Sequence, residues 1–203
     1  MLKTLRKPPR VIGPRDHGKR MSLDEFDRAR GQDGYVYELS KGVVDVTDVP
    51  HLNHGLLVEA IREQLIAYKL ARPGVISYLP GSNESKILLA ADESERHPDL
   101  SVYLEPAPDA PDVWSVWVPA IVIEVVSASS AKRDYEDKPS EYLGFGVAEY
   151  WIVDPVKGVM TANTRWRGTW RPKVVRPSRR YATPLLPKFT LDLKRVFAAA
   201  KRR

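Results

Sequence analysis

The most apolar stretch of the chain is Pro119-Ala120-Ile121-Val122-Ile123-Glu124-Val125-Val126. A continuous run of β-branched residues is typical of a central strand that is covered on both faces of a sheet. The run contains one charged residue, Glu124, where an unpaired carboxylate would be strongly destabilising. Buried charges persist when they are paired or bind a metal ion. Glu124 is therefore a candidate functional residue, and an ion pair with a buried Arg or Lys is the alternative.

A second carboxylate, Asp99, follows Arg96-His97-Pro98 and stands at the start of a strand predicted at residues 100–104. Two carboxylates on neighbouring strands can converge on one Mg²⁺ ion, which takes oxygen ligands and usually keeps several waters. An Asp after Pro is also common in ordinary turns. Asp99 and Glu124 together indicate a metal site more strongly than either residue alone.

Further strands and helices are predicted on both sides of the central strand. Apolar periodicity and turn residues predict strands at 35–39, 43–46, 75–79, 86–90, 149–153, 159–164 and 169–175, and helices at 22–29, 53–71 and 132–143. A closing segment at 185–197 is expected to pack a terminal helix. The pattern predicts an α/β fold, with a mixed β-sheet flanked by helices and extra strands near the N-terminus.

The length of 203 residues suggests one domain with short tails. We expect a flexible basic extension at residues 1–20, a folded domain at 21–198 and a basic tail at 199–203. Ordered structure is expected to begin at Ser22, which forms a capping-box pattern with Glu25. The basic ends fit phosphate contacts and plain solvated termini equally well.

Composition excludes several classes of protein. The chain has no cysteine, which rules out disulfides, cysteine-bound metals and thiol catalysis and fits a reducing cytoplasm. No apolar run approaches the roughly 20 residues that span a bilayer, and no apolar segment follows the basic N-terminus as in a secretory signal. The expectation is a cytoplasmic protein without a membrane partner. The net charge of +6 is compatible with a polyanionic partner.

Several motifs, in order, resemble a large bacterial family of putative restriction endonucleases, which is placed in the PD-(D/E)XK nuclease superfamily. They are Arg96-His97-Pro98-Asp99-Leu100-Ser101-Val102, then Ile123-Glu124-Val125-Val126-Ser127, then Asp134, Lys138 and Tyr142, then Gly146-Val147-Ala148-Glu149-Tyr150-Trp151-Ile152-Val153-Asp154-Pro155. Tyr37-Glu38-Leu39, His54 and the closing segment 185–193 also fit the family. The resemblance covers roughly residues 21–197.

The resemblance implies a restriction-endonuclease-like core and metal-dependent hydrolysis of phosphodiester bonds, with Mg²⁺ or Mn²⁺ as the cofactor. By position, Asp99 and Glu124 are the metal carboxylates, and the backbone carbonyl of Val125 completes the metal shell. Glu38 is a third carboxylate from the N-terminal part. The implied partner is nucleic acid, and DNA is the expected form; a homodimer would suit double-strand cutting.

The chain departs from the superfamily pattern two residues after Glu124, where Val126 replaces the expected lysine. The family implies that Lys138 on the following helix supplies it, since a lysine near the scissile phosphate can orient the attacking water and stabilise developing negative charge. A surface ion pair with Asp134, four residues earlier, is the alternative. Pro139 disfavours helical geometry at Lys138, so a kink is expected there.

Other candidate residues carry weaker signals. His51 and His54 form a His-x-x-His pair without an apparent third ligand, and His54 fits the start of a helix. Trp166 and Trp170 alternate with arginines in a segment that could contact a nucleic-acid backbone.

Three functions compete on this sequence. They are a metal-dependent endonuclease acting on DNA, a nucleic-acid-binding or regulatory module on the same fold that does not cleave, and a protein whose buried acids are simply paired.

Overall fold

The computed structural model describes residues 9–201, which divide into two compact units. One unit holds residues 9–49 and 88–96, and the other holds 50–87 and 97–201. The boundaries of the predicted domain at residues 21 and 198 stay a prediction. No helix in the described part of the chain is long and apolar enough to cross a membrane.

The first unit is built on a four-stranded sheet with the strand order β4-β3-β6-β5. Its elements are β1 (Val11–Ile12), α1 (Leu23–Asp27), β2 (Arg30–Gly31), β3 (Tyr35–Ser40), β4 (Val43–Asp48), β5 (Ile87–Leu89) and β6 (Ser94–Arg96). The hairpin of β3 and β4 confirms the strands predicted there. The capping box of Ser22 and Glu25 also forms and begins α1.

The expectation that ordered structure begins at Ser22 is wrong. Before that residue, β1 pairs with β2, residues Pro14–Asp16 form a 3-10 turn, and Arg20 bridges to Val43. Ile12 is buried in the small core of this unit. A two-residue strand with one buried side chain is too short to produce a detectable period, which is why the sequence pattern did not reveal it. Residues 1–8 lie outside the described residues.

The second unit contains a five-stranded mixed sheet with the order β11-β10-β9-β8-β7. Its elements are α2 (Leu52–Ala71), β7 (Leu100–Val102), β8 (Ile121–Val125), α3 (Lys138–Phe145), β9 (Glu149–Asp154), β10 (Val159–Trp166), β11 (Thr169–Val175), β12 (Arg180–Tyr181), β13 (Leu191–Asp192) and α4 (Leu193–Ala199). Strand β8 is antiparallel to β7 and parallel to β9. The predicted α/β class, a mixed sheet flanked by helices, is confirmed.

The central strand β8 is buried along its whole length, as the apolar run predicts. Ile121, Ile123 and Val125 belong to the main core, in which side chains of α2 and α4 also pack. Because neighbouring side chains of a strand point to opposite faces, Glu124 lies on the other face of the sheet. There it meets α3, so the strand carries its only charge toward the helix that follows it.

One strand and one helix boundary predicted from the sequence are wrong. Residues 75–79 are not a strand; Tyr78 makes only an isolated bridge to Tyr103. The sequence predicts that helix α2 begins at residue 53, but it begins at Leu52, after His51, whose side chain makes no capping hydrogen bond. Both errors arise where an apolar or polar pattern has more than one backbone solution, and tertiary pairing decides between them.

The Asp154-Pro155 pair of the family motif closes β9 with a side-chain turn. Asp154 Oδ1 accepts hydrogen bonds from the backbone N–H groups of Val156 (2.9 Å) and Lys157 (2.8 Å), and Oδ2 accepts one from the Tyr135 hydroxyl (2.9 Å). Burial acts to raise the pKa of Asp154, but these hydrogen bonds and the charge of Lys157 outweigh it and lower the pKa below its usual value. The ionised form is therefore the one that the fold stabilises.

We expect Asp154→Asn to lower the free energy of unfolding at neutral pH by about 1–3 kcal/mol, the usual cost of disturbing a buried hydrogen-bonded group. A group whose pKa falls on folding stabilises the native state above its unfolded pKa of about 3.9, and this contribution is lost as the pH falls through the folded pKa. Urea titrations at a series of pH values should show the wild-type advantage shrinking below about pH 4. Asp109→Asn, at an exposed position, is the control. A difference that does not change with pH would contradict this account.

Candidate active site

The two predicted metal carboxylates belong to neighbouring positions of the sheet. In the antiparallel pairing of β7 with β8, Leu100 stands opposite Ile123 and Ser101 stands opposite Val122. Asp99 directly precedes β7, and its side chain accepts a hydrogen bond from the backbone N–H of Val125, the residue after Glu124. The sequence thus brings to one edge of the sheet two acids that are 25 residues apart in the chain.

Asp99 is held by three groups. Its Oδ2 accepts a hydrogen bond from the backbone N–H of Val125 at 2.7 Å and lies 3.1 Å from His54 Nε2. The Ser82 hydroxyl lies at 3.4 Å from Oδ1. The side chain of Asp99 is 14% exposed, so it is restrained by the protein and still reached by solvent.

His54 lies in the first turn of α2 and points its ring at Asp99. Burial acts to lower the pKa of His54, but the hydrogen bond and negative charge of Asp99, a backbone hydrogen bond with Val125 and the charge of Asp134 together raise the pKa above its ordinary value. His54 therefore contacts both Asp99 and the backbone of Val125, two of the groups that the family resemblance assigns to the metal. The sequence carries only a weak signal that His54 belongs to the site, because its partners Asp99 and Val125 are distant in the chain.

Glu124 accepts hydrogen bonds from two buried donors. Lys138 Nζ donates to Glu124 Oε1 at 2.9 Å, and the Tyr142 hydroxyl donates to the same oxygen at 2.8 Å. All three side chains are buried. The predicted lysine and the predicted acid are thus in direct contact, although 14 residues separate them.

Asp134 completes this buried cluster. Its Oδ1 lies 3.1 Å from Lys138 Nζ as an ion pair without the geometry of a good hydrogen bond, and its Oδ2 accepts a short hydrogen bond of 2.6 Å from the Ser130 hydroxyl. The alternative for Lys138, an ion pair with Asp134, is therefore present, but it is buried rather than on the helix surface. Lys138 stands between two carboxylates.

The segment after β8 explains how Lys138 reaches Glu124. Ser127 and Ser130 exchange hydrogen bonds between backbone N–H groups and hydroxyls, which reverses the chain and starts the helix. Residues Arg133–Asp137 then form a π-helical turn that runs directly into α3 at Lys138. Lys138 keeps helical dihedral angles in spite of Pro139. The prediction of helical structure over 132–143 is confirmed, but the kink expected at Lys138 is absent. The helix is distorted before that residue instead, by a π turn, a feature found often at functional sites.

The donor groups suit a hard divalent cation. Among residues 9–201, no three side chains of His, Cys, Asp or Glu are grouped as a ready-made metal cluster. Mg²⁺ commonly uses one or two carboxylates and completes its shell with water and substrate oxygens. Asp99, Glu124 and the carbonyl of Val125 meet that requirement by their chemistry, and their assignment as ligands stays a prediction.

Glu38, the fourth predicted site residue, lies in the first unit. There its Oε2 is 3.4 Å from Nη1 of Arg96, whose Nη2 donates to the Ser40 hydroxyl at 2.8 Å. Arg96 is fully buried and therefore acts as a structural counterion for Glu38. The role of Glu38 in the metal site stays a prediction.

Comparisons with known proteins agree with the geometry. The model of the Uma2 family, described as "Putative restriction endonuclease", matches residues 23–194. A crystal structure described as a putative nuclease belonging to DUF820 from Anabaena variabilis ATCC 29413 superposes with a TM-score of 0.71. The two chains are 16% identical, and the match covers 89% of this chain and 99% of the other. At this identity the likeness concerns the fold. No curated protein matches the sequence significantly.

Proposed function

Because the chain belongs to the family of putative restriction endonucleases, we propose that it hydrolyses phosphodiester bonds of DNA with Mg²⁺ or Mn²⁺. The observation that carries this proposal is that Asp99, just before β7, accepts a hydrogen bond from the backbone of Val125 beside Glu124 on the neighbouring strand β8, while Lys138 contacts Glu124 at 2.9 Å. A lysine beside a pair of acids is the arrangement expected of the superfamily, here assembled from a strand and the next helix.

Each residue around the site would have its own role in such a reaction. Asp99, Glu124 and the carbonyl of Val125 would hold the ion. Bound Mg²⁺ would favour ionisation of a water molecule and offset negative charge on the phosphate. His54 fixes Asp99 through the contact at 3.1 Å and is a positioning residue. Lys138 would orient the attacking water or stabilise charge on the phosphate, which requires it to share its ammonium between Glu124 and the substrate.

A second candidate function is a nucleic-acid-binding or regulatory module on the same fold that does not cleave. The observation in its favour is that Lys138 is buried between Glu124 and Asp134. An ammonium that neutralises two acids could serve the stability of the protein alone. The two functions differ in one measurable respect, because only the first requires a divalent cation.

We expect the purified protein to nick supercoiled plasmid DNA in Mg²⁺ or Mn²⁺ and to stop when a chelator is added. Ca²⁺, which binds oxygen ligands with a looser geometry, should support DNA binding with little cleavage. Asp99→Asn is the companion variant, since it removes one predicted ligand charge and should reduce both metal affinity and nicking. DNA binding without cleavage in either metal would favour the second function. Sedimentation of the same samples tests the predicted homodimer.

A further inference from the structure

The hairpin of β10 and β11 extends beyond the strand beside it. Thr164 is the last residue of β10 that pairs with β9, opposite Glu149, where β9 begins. Beyond it, β10 and β11 pair with each other as far as Trp166 and Thr169, and Arg167-Gly168 form a two-residue turn with positive φ angles of 49° and 79°. The end of the hairpin is therefore a projecting, exposed element.

The positive charge of the chain is concentrated around this hairpin. Between Asp154 and Asp192 there is no acidic residue, while the same segment contains nine basic residues: Lys157, Arg165, Arg167, Arg171, Lys173, Arg176, Arg179, Arg180 and Lys188. The segment thus carries a formal charge of +9, compared with +6 for the whole chain, so the rest of the chain has a net charge of −3. Such one-sided charge favours a polyanionic partner.

An exposed tryptophan lies among these cations. Trp166 is 49% exposed, and the guanidinium carbons of Arg171 and Arg167 lie 4.9 Å and 5.5 Å from its ring centroid. These cation–π contacts hold two guanidinium groups at the end of the hairpin. Arginines around an exposed aromatic ring are typical of surfaces that follow a nucleic-acid backbone.

The hairpin is attached next to the candidate active site. Trp170 Nε1 donates a hydrogen bond of 2.7 Å to the carbonyl of Pro139, the residue after Lys138. Along the sheet, Glu124 stands opposite Ile152, which stands opposite Thr161. Trp166 is five residues further along β10, about 17 Å along the strand at about 3.4 Å per residue, and because side chains alternate it points to the face of the sheet opposite Glu124.

We propose that the end of this hairpin, with Arg167 and Arg171 held on Trp166, binds the phosphate backbone of duplex DNA. This inference rests on the proposed function, because it takes the partner to be the DNA that the site would cleave. The contacts are electrostatic, so they hold the duplex without reading its sequence.

The test is the salt dependence of DNA binding. Binding of a fluorescent duplex is measured by anisotropy in the presence of chelator at several salt concentrations, for the wild type and for the double variant Arg167→Ala/Arg171→Ala. Each lost phosphate contact should reduce the slope of log K against log salt by about 0.9. We therefore expect the slope to fall by roughly 1.8 and the affinity to fall alike for unrelated DNA sequences.

Two further variants make the result specific. Lys41→Ala/Lys194→Ala removes the same charge at exposed positions that are not part of the hairpin, and Lys41 occupies a two-residue turn of the same kind as Arg167. Its slope should equal that of the wild type. Arg167→Lys/Arg171→Lys keeps the charge, so its slope should stay near the wild-type value.

An unchanged slope in the alanine variant, or an equal loss in the Lys41→Ala/Lys194→Ala control, would overturn the proposal, as would a wild type that binds no duplex.

Plasmid nicking separates the hairpin contact from the proposed cleavage of DNA. If the wild type nicks DNA and the hairpin variant keeps its slope, the proposed function stands and the hairpin contact is wrong. If the slope falls but the wild type never nicks, the hairpin contact stands and cleavage is wrong.

Discussion

Glu124→Gln should abolish metal-dependent nicking of plasmid DNA while the chain stays folded. Glutamine keeps the size of the side chain and one oxygen that can accept from Tyr142 and Lys138. It loses the negative charge, which is the property that holds Mg²⁺. Calorimetric titration with Mg²⁺ should show a loss of binding, and the nicking rate should fall to background.

Asp134, the second acid beside Lys138, limits the stability that Glu124→Gln should lose. Stripping a buried ion of its partner typically costs about 3–5 kcal/mol. Here Lys138 retains Asp134 at 3.1 Å, so the loss on Glu124→Gln should be smaller than that range. Thermal unfolding checks this value.

The matched control for Glu124→Gln is Glu149→Gln. Glu149 is also a buried glutamate on a central strand, but its oxygens accept from the Trp151 indole and the hydroxyls of Tyr181 and Thr183. It lies in a separate network, so its substitution should leave Mg²⁺ binding unchanged. If Glu124→Gln binds Mg²⁺ as the wild type does, Glu124 serves only to pair with Lys138, and the endonuclease assignment loses its central residue.

The sequence was informative where one physical cause dominated. The apolar run around Glu124 could only be a central strand, and a charge inside it required a partner. The same reasoning left open whether that partner is a lysine or a metal. In the structure the lysine that pairs with Glu124 is Lys138, the residue expected to act in catalysis. An ion pair with a lysine and a metal-binding role for Glu124 are therefore compatible.

Other parts of the site depend on tertiary placement that local patterns do not encode. His54 contacts Asp99 although the two residues are 45 positions apart in the chain, so their contact depends on how α2 packs beside β7. The π turn before Lys138 cannot be read from propensity, since Pro139 predicts only that an ordinary helix is disturbed. Asp134 is part of the family motif, and the sequence predicts at most an ion pair with Lys138 on the helix surface. The structure buries both residues, so this ion pair belongs to the candidate site.

Lys138→Met should slow nicking by a factor on the order of 10²–10³, the usual cost of one well-placed electrostatic group. Methionine keeps most of the apolar stem and limits the cavity. The change removes a positive charge 2.9 Å from Glu124, so it should strengthen Mg²⁺ binding, because the ion no longer competes with the ammonium. Slower cleavage together with tighter metal binding is the result that separates a catalytic lysine from a purely structural one.

The burial of Glu124 and Asp134 around Lys138 also predicts how the variant changes stability, and it guides the choice of control variants. Without Mg²⁺, the variant leaves Glu124 and Asp134 buried together without their cation, so it should unfold at lower temperature, and added Mg²⁺ should recover part of the loss. Lys157→Met, at an exposed lysine paired with Asp154, should change neither metal affinity nor nicking. Lys138→Arg keeps a cation in the cluster, so it should remain folded while nicking slowly, because a guanidinium does not reproduce a compact ammonium. Nicking by Lys138→Met at the wild-type rate would show that Lys138 only neutralises the two acids.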